Sequence, residues 1–276
     1  MILRNGTFIA DRALARRAER ADASRSLACA QARAALLPEG DTSWTPIAGG
    51  YAVFAGDGSP LNKGVGFGAD ESIGVAELEA LEKFYQGNRT AAAFDLAPFA
   101  DGRTLELIAR RGYGISYLLN VLALDPSSPP ESLQPAPGYR AWRAGAAEED
   151  IWVRTVAAGF AGGKEPSREA LALFTAQFHA ATAHCFLAGR GGEIAGAGMI
   201  SIDDGTGLLG ATSVLPRHRG RGIHGMLLRE RLLHAHAYGC GLAVTSTAPG
   251  SPSQRNLQRY GFRILYTKAL MRRLPP

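Results

Sequence analysis

Between residues 138 and 276 the spacing of apolar positions changes repeatedly, and each change marks an element. "GYRAWRA" (138–144) alternates as a strand does, while "EEDIWVRTVAAGFAG" (148–162) and "SREALALFTAQFHAA" (167–181) carry the spacing of amphipathic helices. "AHCFLAGRGGEIAGAGMISIDDGTGLLGATSVL" (183–215) reads as three strands joined by the hairpin-type connections "GRGG" and "DDGTG". A helix from Ile223 to Tyr238, a strand "LAVTST" (242–247), a helix from Ser251 to Tyr260 and a strand "FRILYTKALM" (262–271) follow. The predicted order, β-α-α-β-β-β-α-β-α-β, describes an α/β chain with a mixed sheet, antiparallel hairpins first and βαβ connections later.

The first half is patterned less sharply. Its Arg- and Ala-rich start reads as a helix, and Asp11, Glu19 and Asp22 argue against an organellar transit peptide, which is poor in acids. Further on, "PLNKGVGFG" reads as a strand with a flexible end, "GVAELEALEKFYQ" as a helix and "TAAAFDL" as a strand. The sharpest break is "DPSSPPESLQPAPG" (125–138), with five prolines and no apolar period. It divides the chain into a domain over 1–125, a linker over 126–137 and a domain over 138–276. A weak repeat at an offset of 149 joins the halves: "RRGYGISYLLNVL" from Arg110 aligns with "RYGFRILYTKAL" from Arg259, Gly112 falling on Gly261 and Tyr117 on Tyr266. Each reads as a helix end, a stopping glycine and a strand, which points to common architecture.

Composition narrows the function. A chain of 276 residues, 46% hydrophobic, buries a sizeable core, and a net charge of +5 spread over scattered arginines suits a phosphate-bearing ligand better than a nucleic acid. Three cysteines (Cys29, Cys185, Cys240) have neither even pairing nor metal-ligand spacing, which favours a reducing cytoplasm. No apolar run approaches the roughly 20 residues of a membrane span. His218, His224, His234 and His236 crowd one segment, but His234 and His236 are two apart and face different sides of a helix, so no metal is expected.

The chemistry concentrates in "VLPRHRGRGIHGMLL" (214–228). Gly220, Gly222 and Gly225 formally spell the dinucleotide fingerprint G-x-G-x-x-G. That fingerprint needs its first glycine at the end of a strand and an acid about 20 residues on, whereas "PRHR" intervenes here and "LAVTST" ends in Thr247. An anion cradle fits better: free amides at a helix start favour phosphate, glycines let it approach, and Arg217, Arg219 and Arg221 add charge. The bland alternative is a solvated basic turn that starts a helix.

This loop resembles the V-x-P-x-x-R-G-x-G-I-G pattern of the GCN5-related N-acetyltransferases (GNAT), with Arg219, Gly220 and Gly222 matching. "SPSQRNLQRYGF" is similar to the helix-then-Gly-Phe end of that family. The family's last Gly/Ala position falls on His224, with Gly225 beside it. The resemblance covers about 138–276 and implies a GNAT-like fold. It also implies an acetyl-CoA cosubstrate whose pyrophosphate lies on Arg219, Gly220, Arg221, Gly222, His224 and Gly225, and a primary amine on a small molecule or peptide as acceptor. It further implies a gap between "LLGATSVL" and "LAVTST" for the pantetheine arm, paired to main-chain groups of Val214 and Leu215, with an amide near Leu215 polarising the thioester. Ser253 and Asn256 would reach the cofactor, the alternatives being a helix cap for Ser253 and a solvated face for Asn256.

The catalytic groups are unassigned. Residues 208–215 hold no carboxylate, and Asp203 and Asp204 sit in a turn. Many relatives place a tyrosine acid four residues before the Gly-Phe; that place is Leu257, leaving Ser253 and Tyr260 as weak candidates. A non-catalytic acyl-CoA-binding or regulatory module is therefore the competing expectation. In the first half the same offset places Asp70 and Glu71 where the loop has arginines, so that half reads as a degenerate copy without the cofactor loop.

Overall fold

The structure is a computed structural model that describes residues 3–4, 7–8, 11–127, 129, 137–162 and 164–274; residues 128 and 130–136 of the expected linker lie outside the described residues. In chain order the elements are β1 (Leu3–Arg4), β2 (Thr7–Phe8), α1 (Arg12–Leu36), β3 (Thr42–Ile47), β4 (Gly50–Ala55), β5 (Lys63–Val65), α2 (Val75–Gly87), β6 (Ala93–Leu96), α3 (Gly102–Arg110) and β7 (Tyr113–Leu124). There follow β8 (Arg140–Arg143), α4 (Glu149–Phe160), α5 (Arg168–His179), β9 (Ala183–Arg190), β10 (Glu193–Asp203), β11 (Thr206–Val214), α6 (Ile223–Ala237), β12 (Leu242–Thr247), α7 (Pro252–Arg259) and β13 (Arg263–Arg273). The predicted order of the second half is thus the observed one.

The chain forms two compact units interleaved in sequence. The C-unit comprises Met1–Ile9, Ala123–Thr245 and Asn256–Arg263; the N-unit comprises Ala10–Leu122, Ser246–Arg255 and the chain from Ile264 onward. In the C-unit the strands lie in the order β12-β11-β10-β9-β8, with β11 and β12 parallel and the other neighbours antiparallel. Trp152, Val156 and Phe174 of α4 and α5 pack on Leu187, Ala197 and Met199 on one face of this sheet. The opposite face, presented at Gly196 and Gly198, lies against Ile223, Leu227 and Arg231 of α6.

In the N-unit the order is β3-β4-β5-β6-β13-β7, over a core that includes Phe67, Leu78, Leu81, Tyr85, Phe94 and Met271. The last strand, read from sequence as the end of the second half, pairs here: β13 runs antiparallel to β6, with Ala269 opposite Leu96 and Met271 opposite Phe94. Its polar position explains the attachment. Lys268 is 2% exposed and its Nζ lies 2.8 Å from Asp22, 3.1 Å from Asp95 and 3.3 Å from Glu19. Lys63 reaches Asp95 at 2.7 Å, Arg25 reaches Asp22 at 2.7 Å, and the Tyr266 hydroxyl donates to Glu19.

Burial by itself lowers the pKa of Lys268. Asp22, Asp95 and Glu19 outweigh that and hold its pKa well above the usual 10.5. A base that binds its proton more tightly when folded contributes stability in full below its unfolded value and loses it as pH rises beyond. Lys268→Met leaves three buried carboxylates short of a cation, so it is expected to cost about 3–5 kcal/mol in chemical denaturation at pH 7. The difference from wild type should shrink as pH climbs past 10.5; a gap that stays constant there contradicts the assigned direction.

Candidate functional site

The site is built where β11 leaves β12. The two strands pair only at Thr206–Leu242, Gly207–Ala243 and Leu208–Val244. One residue later the Thr245 hydroxyl, not a backbone amide, donates to the Leu209 carbonyl at 3.2 Å. β11 then runs on to Val214 with its β12-facing edge unpaired with β12. On its other edge β11 stays on β10, but a bulge intervenes: Ser213 opposes Ala197 and Gly210 opposes Met199, so Ala211 and Thr212 together face Gly198. Ala211 takes φ 47°, a left-handed value unusual for alanine.

Strand alternation then fixes which main-chain groups face the gap. The Leu215 amide donates to Ala195 on β10 at 2.9 Å. The neighbouring residue, Val214 opposite Gly196, therefore turns its N–H and C=O away from β10 and toward the gap. The Leu215 amide is thus committed to β10, and the gap-facing amide of the pair is that of Val214.

After Val214 the chain turns through Pro216–His218 into the glycine-arginine loop. Gly220 and Gly222 both adopt φ 74°, which a side chain would strain, and Gly222 is the N-cap of α6. The first bond within α6 runs from the Met226 amide to the Gly222 carbonyl at 3.0 Å, so the amides of Ile223, His224 and Gly225 point out of the helix end. Of the arginines, Arg217 pairs with Glu193 at 2.8 Å. Arg219 donates instead to the carbonyls of Val214 (3.2 Å) and Gly159 (3.4 Å), and Arg221 to the Tyr139 hydroxyl (3.1 Å). Two cations that pair with no carboxylate among the described residues therefore flank an open helix N-terminus.

His218, which the sequence left unassigned, is 4% exposed and braces the turn: Nδ1 lies 3.0 Å from the Tyr139 hydroxyl and Nε2 3.3 Å from Glu193. His224 stacks on Tyr260, ring centroids 6.4 Å apart at 15°. Burial, reinforced by Arg231, brings its pKa down to about 4, so it adds no charge to the cradle at neutral pH. Gly225 is buried in the first turn of α6.

The remaining candidates are dispersed. Ser253 is exposed, and the residue that caps α7 is Ser251, whose Oγ accepts from the Gln254 amide at 3.2 Å. Asn256 is half-buried, Leu257 is buried, and Tyr260 packs on α6. His234 lies among His184, Phe186 and Tyr238 while His236 is exposed; among the described residues no group of three or more His, Cys, Asp or Glu is placed to hold a metal. A groove of 660 Å³ runs along Asp150, Arg154, Thr155 and Ala158 of α4 to Leu215 and Arg217.

Residues 141–262 match the sequence profile of the Acetyltransferase (GNAT) family. They form a GNAT domain. Among solved structures, a GCN5-related N-acetyltransferase from Kribbella flavida superposes with a TM-score of 0.62 at 19% identity, covering 92% of this chain and 96% of that one. One from Sphaerobacter thermophilus gives 0.57 at 21% identity over 71% of this chain and 66% of its own. A tandem GNAT protein from the clavulanic acid biosynthesis pathway gives 0.55 at 17%, over 81% and 74%. No curated protein matches the sequence. The parted strands and open helix start both lie within the GNAT domain, and no helix among the described residues is long and apolar enough to cross a membrane.

One consequence is directly measurable. The imidazole resonances of His224 should stay constant from pH 8 to pH 5 and move only near pH 4. A midpoint near 6.5 in an NMR titration contradicts its burial as described.

Proposed function

We propose that the protein is an acetyl-CoA-dependent N-acetyltransferase acting on a primary amine. The observation that carries this is a continuous one: the unpaired edge of β11 leads through Val214 directly to the open N-terminus of α6, beside Arg219 and Arg221. A diphosphate suits free helix amides, and an amide-bearing arm suits an unpaired strand edge. On this reading Gly220, Gly222, Ile223, His224 and Gly225 hold the pyrophosphate through main-chain groups, Arg219 and Arg221 add charge, and Val214 pairs with the arm. The cosubstrate supplies an activated thioester. Val214 N–H, the gap-facing amide, is the donor placed to polarise its carbonyl. The groove from Asp150 to Arg217 is the assigned acceptor wall.

The amine must attack as a free base, yet no residue from 208 to 215 is acidic and Asp203 and Asp204 are exposed in the hairpin that starts β11. The attacking nitrogen forms the C–N bond, the C–S bond breaks, and the amine proton passes to solvent. Buried Leu257 leaves the thiolate without a tyrosine donor at that place; with a thiol pKa near 8.5 it departs without full protonation. These same absences favour the second reading, a module that binds acyl-CoA without turnover.

In the N-unit the helix start that follows β5 is furnished differently. Glu77 accepts the Gly74 amide at 2.9 Å at the N-terminus of α2, and Asp70 is held by Arg20 at 2.7 and 2.8 Å. A carboxylate already occupies the anion position, which supports one cofactor site per chain.

Arg219→Glu should abolish stabilisation by coenzyme A in a thermal-shift titration while barely moving the unliganded melting temperature, since the residue is exposed; unchanged binding overturns the assignment. Thiol release against an amine panel should rise with pH toward the amine's own pKa, about 10.4 for a lysine-like acceptor. Coenzyme A binding without release for any amine favours the second reading. Calorimetry on the whole chain should give a stoichiometry near one, and two would refute the single-site assignment.

A further inference from the structure

Arg231 is the largest charged side chain buried in the C-unit. It is 1% exposed, on the α6 face that meets the sheet. Its Nη1 donates to the Met199 carbonyl at 3.0 Å, the Gly210 carbonyl at 3.3 Å and the Thr212 hydroxyl at 2.7 Å, and its Nε to the Leu227 carbonyl at 2.9 Å. No carboxylate pairs with it among the described ion pairs. Met199 and Gly210 are the last opposed pair before the bulge, and Thr212 is within it. The guanidinium thus bonds to both strands at the point where β11 gains its extra residue.

The surroundings are shaped to admit it. A Cβ on Gly198, the residue facing the bulge, would lie 3.0 Å from the Cζ and Nη1 of Arg231. From the other face, Trp152 Nε1 donates to the Gly198 carbonyl at 3.1 Å, and Ser213 donates to the Thr155 carbonyl at 3.1 Å. A guanidinium buried without a counterion is costly, and an apolar side chain of similar volume would serve the core at least as well. What an apolar side chain lacks is the set of donors for the two carbonyls and one hydroxyl. Those acceptors fix the extra residue in place, and with it the direction in which every later group of β11 faces. A one-residue slip would reverse that direction.

We propose that Arg231 is a positioning residue for the gap: by pinning the bulge it keeps the main chain of Val214 turned toward the space where an acyl-carrying arm lies. The proposal rests on the acyl-coenzyme A reading. It also separates two parts of that site. The open start of α6 is made by Gly220 and Gly222 and does not pass through the bulge, whereas the edge of β11 does.

The test uses two probes on the full chain: coenzyme A, and 3′-phosphoadenosine 5′-diphosphate, which carries the diphosphate without the arm. Arg231→Met removes the donors; Gly198→Val keeps Arg231 but takes its space, and serves if the first variant fails to fold. Calorimetry should show the diphosphate bound by folded variants within about threefold of wild type, and the advantage of coenzyme A over it reduced at least tenfold. Hydrogen exchange should quicken at residues 209–214 and remain unchanged in the loop at 219–225. A wild type that binds neither probe removes the acyl-coenzyme A reading and the clamp's role with it. A wild type that binds both, with variants that lose both in parallel or keep the full advantage of coenzyme A, overturns the clamp alone.

Discussion

Everything at the candidate site depends on one constraint: β11 must remain paired with β10 while parting from β12. Unpaired main-chain edges are ordinarily a hazard, because they invite other strands or a slip of register. Here the exposed edge is short and begins after Leu208, with the Thr245 hydroxyl satisfying the next carbonyl. The strand is prevented from collapsing by contacts on both faces. Arg231 bonds across the bulge from α6, and α4 approaches so closely that a Cβ on Gly159 would fall 2.4 Å from the Cβ of Ser213. Because the loop follows directly from Val214, the register of β11 also sets where Arg219 returns to bond its carbonyl.

Helices α2 and α6 follow strands of comparable place in their units, yet their N-termini are satisfied in opposite ways. At α2 a carboxylate from the helix's own first turn, Glu77, accepts the Gly74 amide. At α6 the first turn holds no acid, the cap is a glycine with no side chain, and the neighbouring histidine is neutral. A helix start that meets its own anion has little left for a ligand; one that does not retains both free donors and the positive end of its dipole.

Much of this was legible in the sequence, and the illegible parts have particular causes. Period changes located β8 to β13 closely because each element of the second half has one consistent buried face, and glycines flanked by arginines marked the loop. The parting of β11 from β12 was expected only through the family resemblance, and the bulge not at all, since "LLGATSVL" reads as an ordinary strand and the left-handed residue is Ala211, not glycine or asparagine. Arg231 sits in "LLRERLLHA", where a charge reads as a solvated face. Lys268 misled in the same way, occupying a polar place in an alternating strand whose partners, Asp22 and Asp95, are far away in sequence. The hairpin β3–β4 went unread partly because of Pro46, which an edge strand such as β3 tolerates.

The two buried cations illustrate how the same cost of desolvation is offset for different ends. Around Lys268, the cations Lys63 and Arg25 and the carboxylates of Glu19, Asp22 and Asp95 form a closed set whose formal charges cancel, so little field extends beyond it. Among the described residues Arg231 is held by carbonyl dipoles and a hydroxyl alone, and burial pulls its pKa down to about 9, which leaves it charged at neutral pH. Its charge is therefore not cancelled locally. It lies beside the parted length of β11 and reaches far enough to help keep His224 neutral. An uncancelled positive charge in a low-dielectric interior favours any group nearby that is negative or becomes so. On the proposed reading the residue that pins the bulge also brings an uncancelled charge beside the parted strand, and an apolar replacement would supply neither the donors nor the charge.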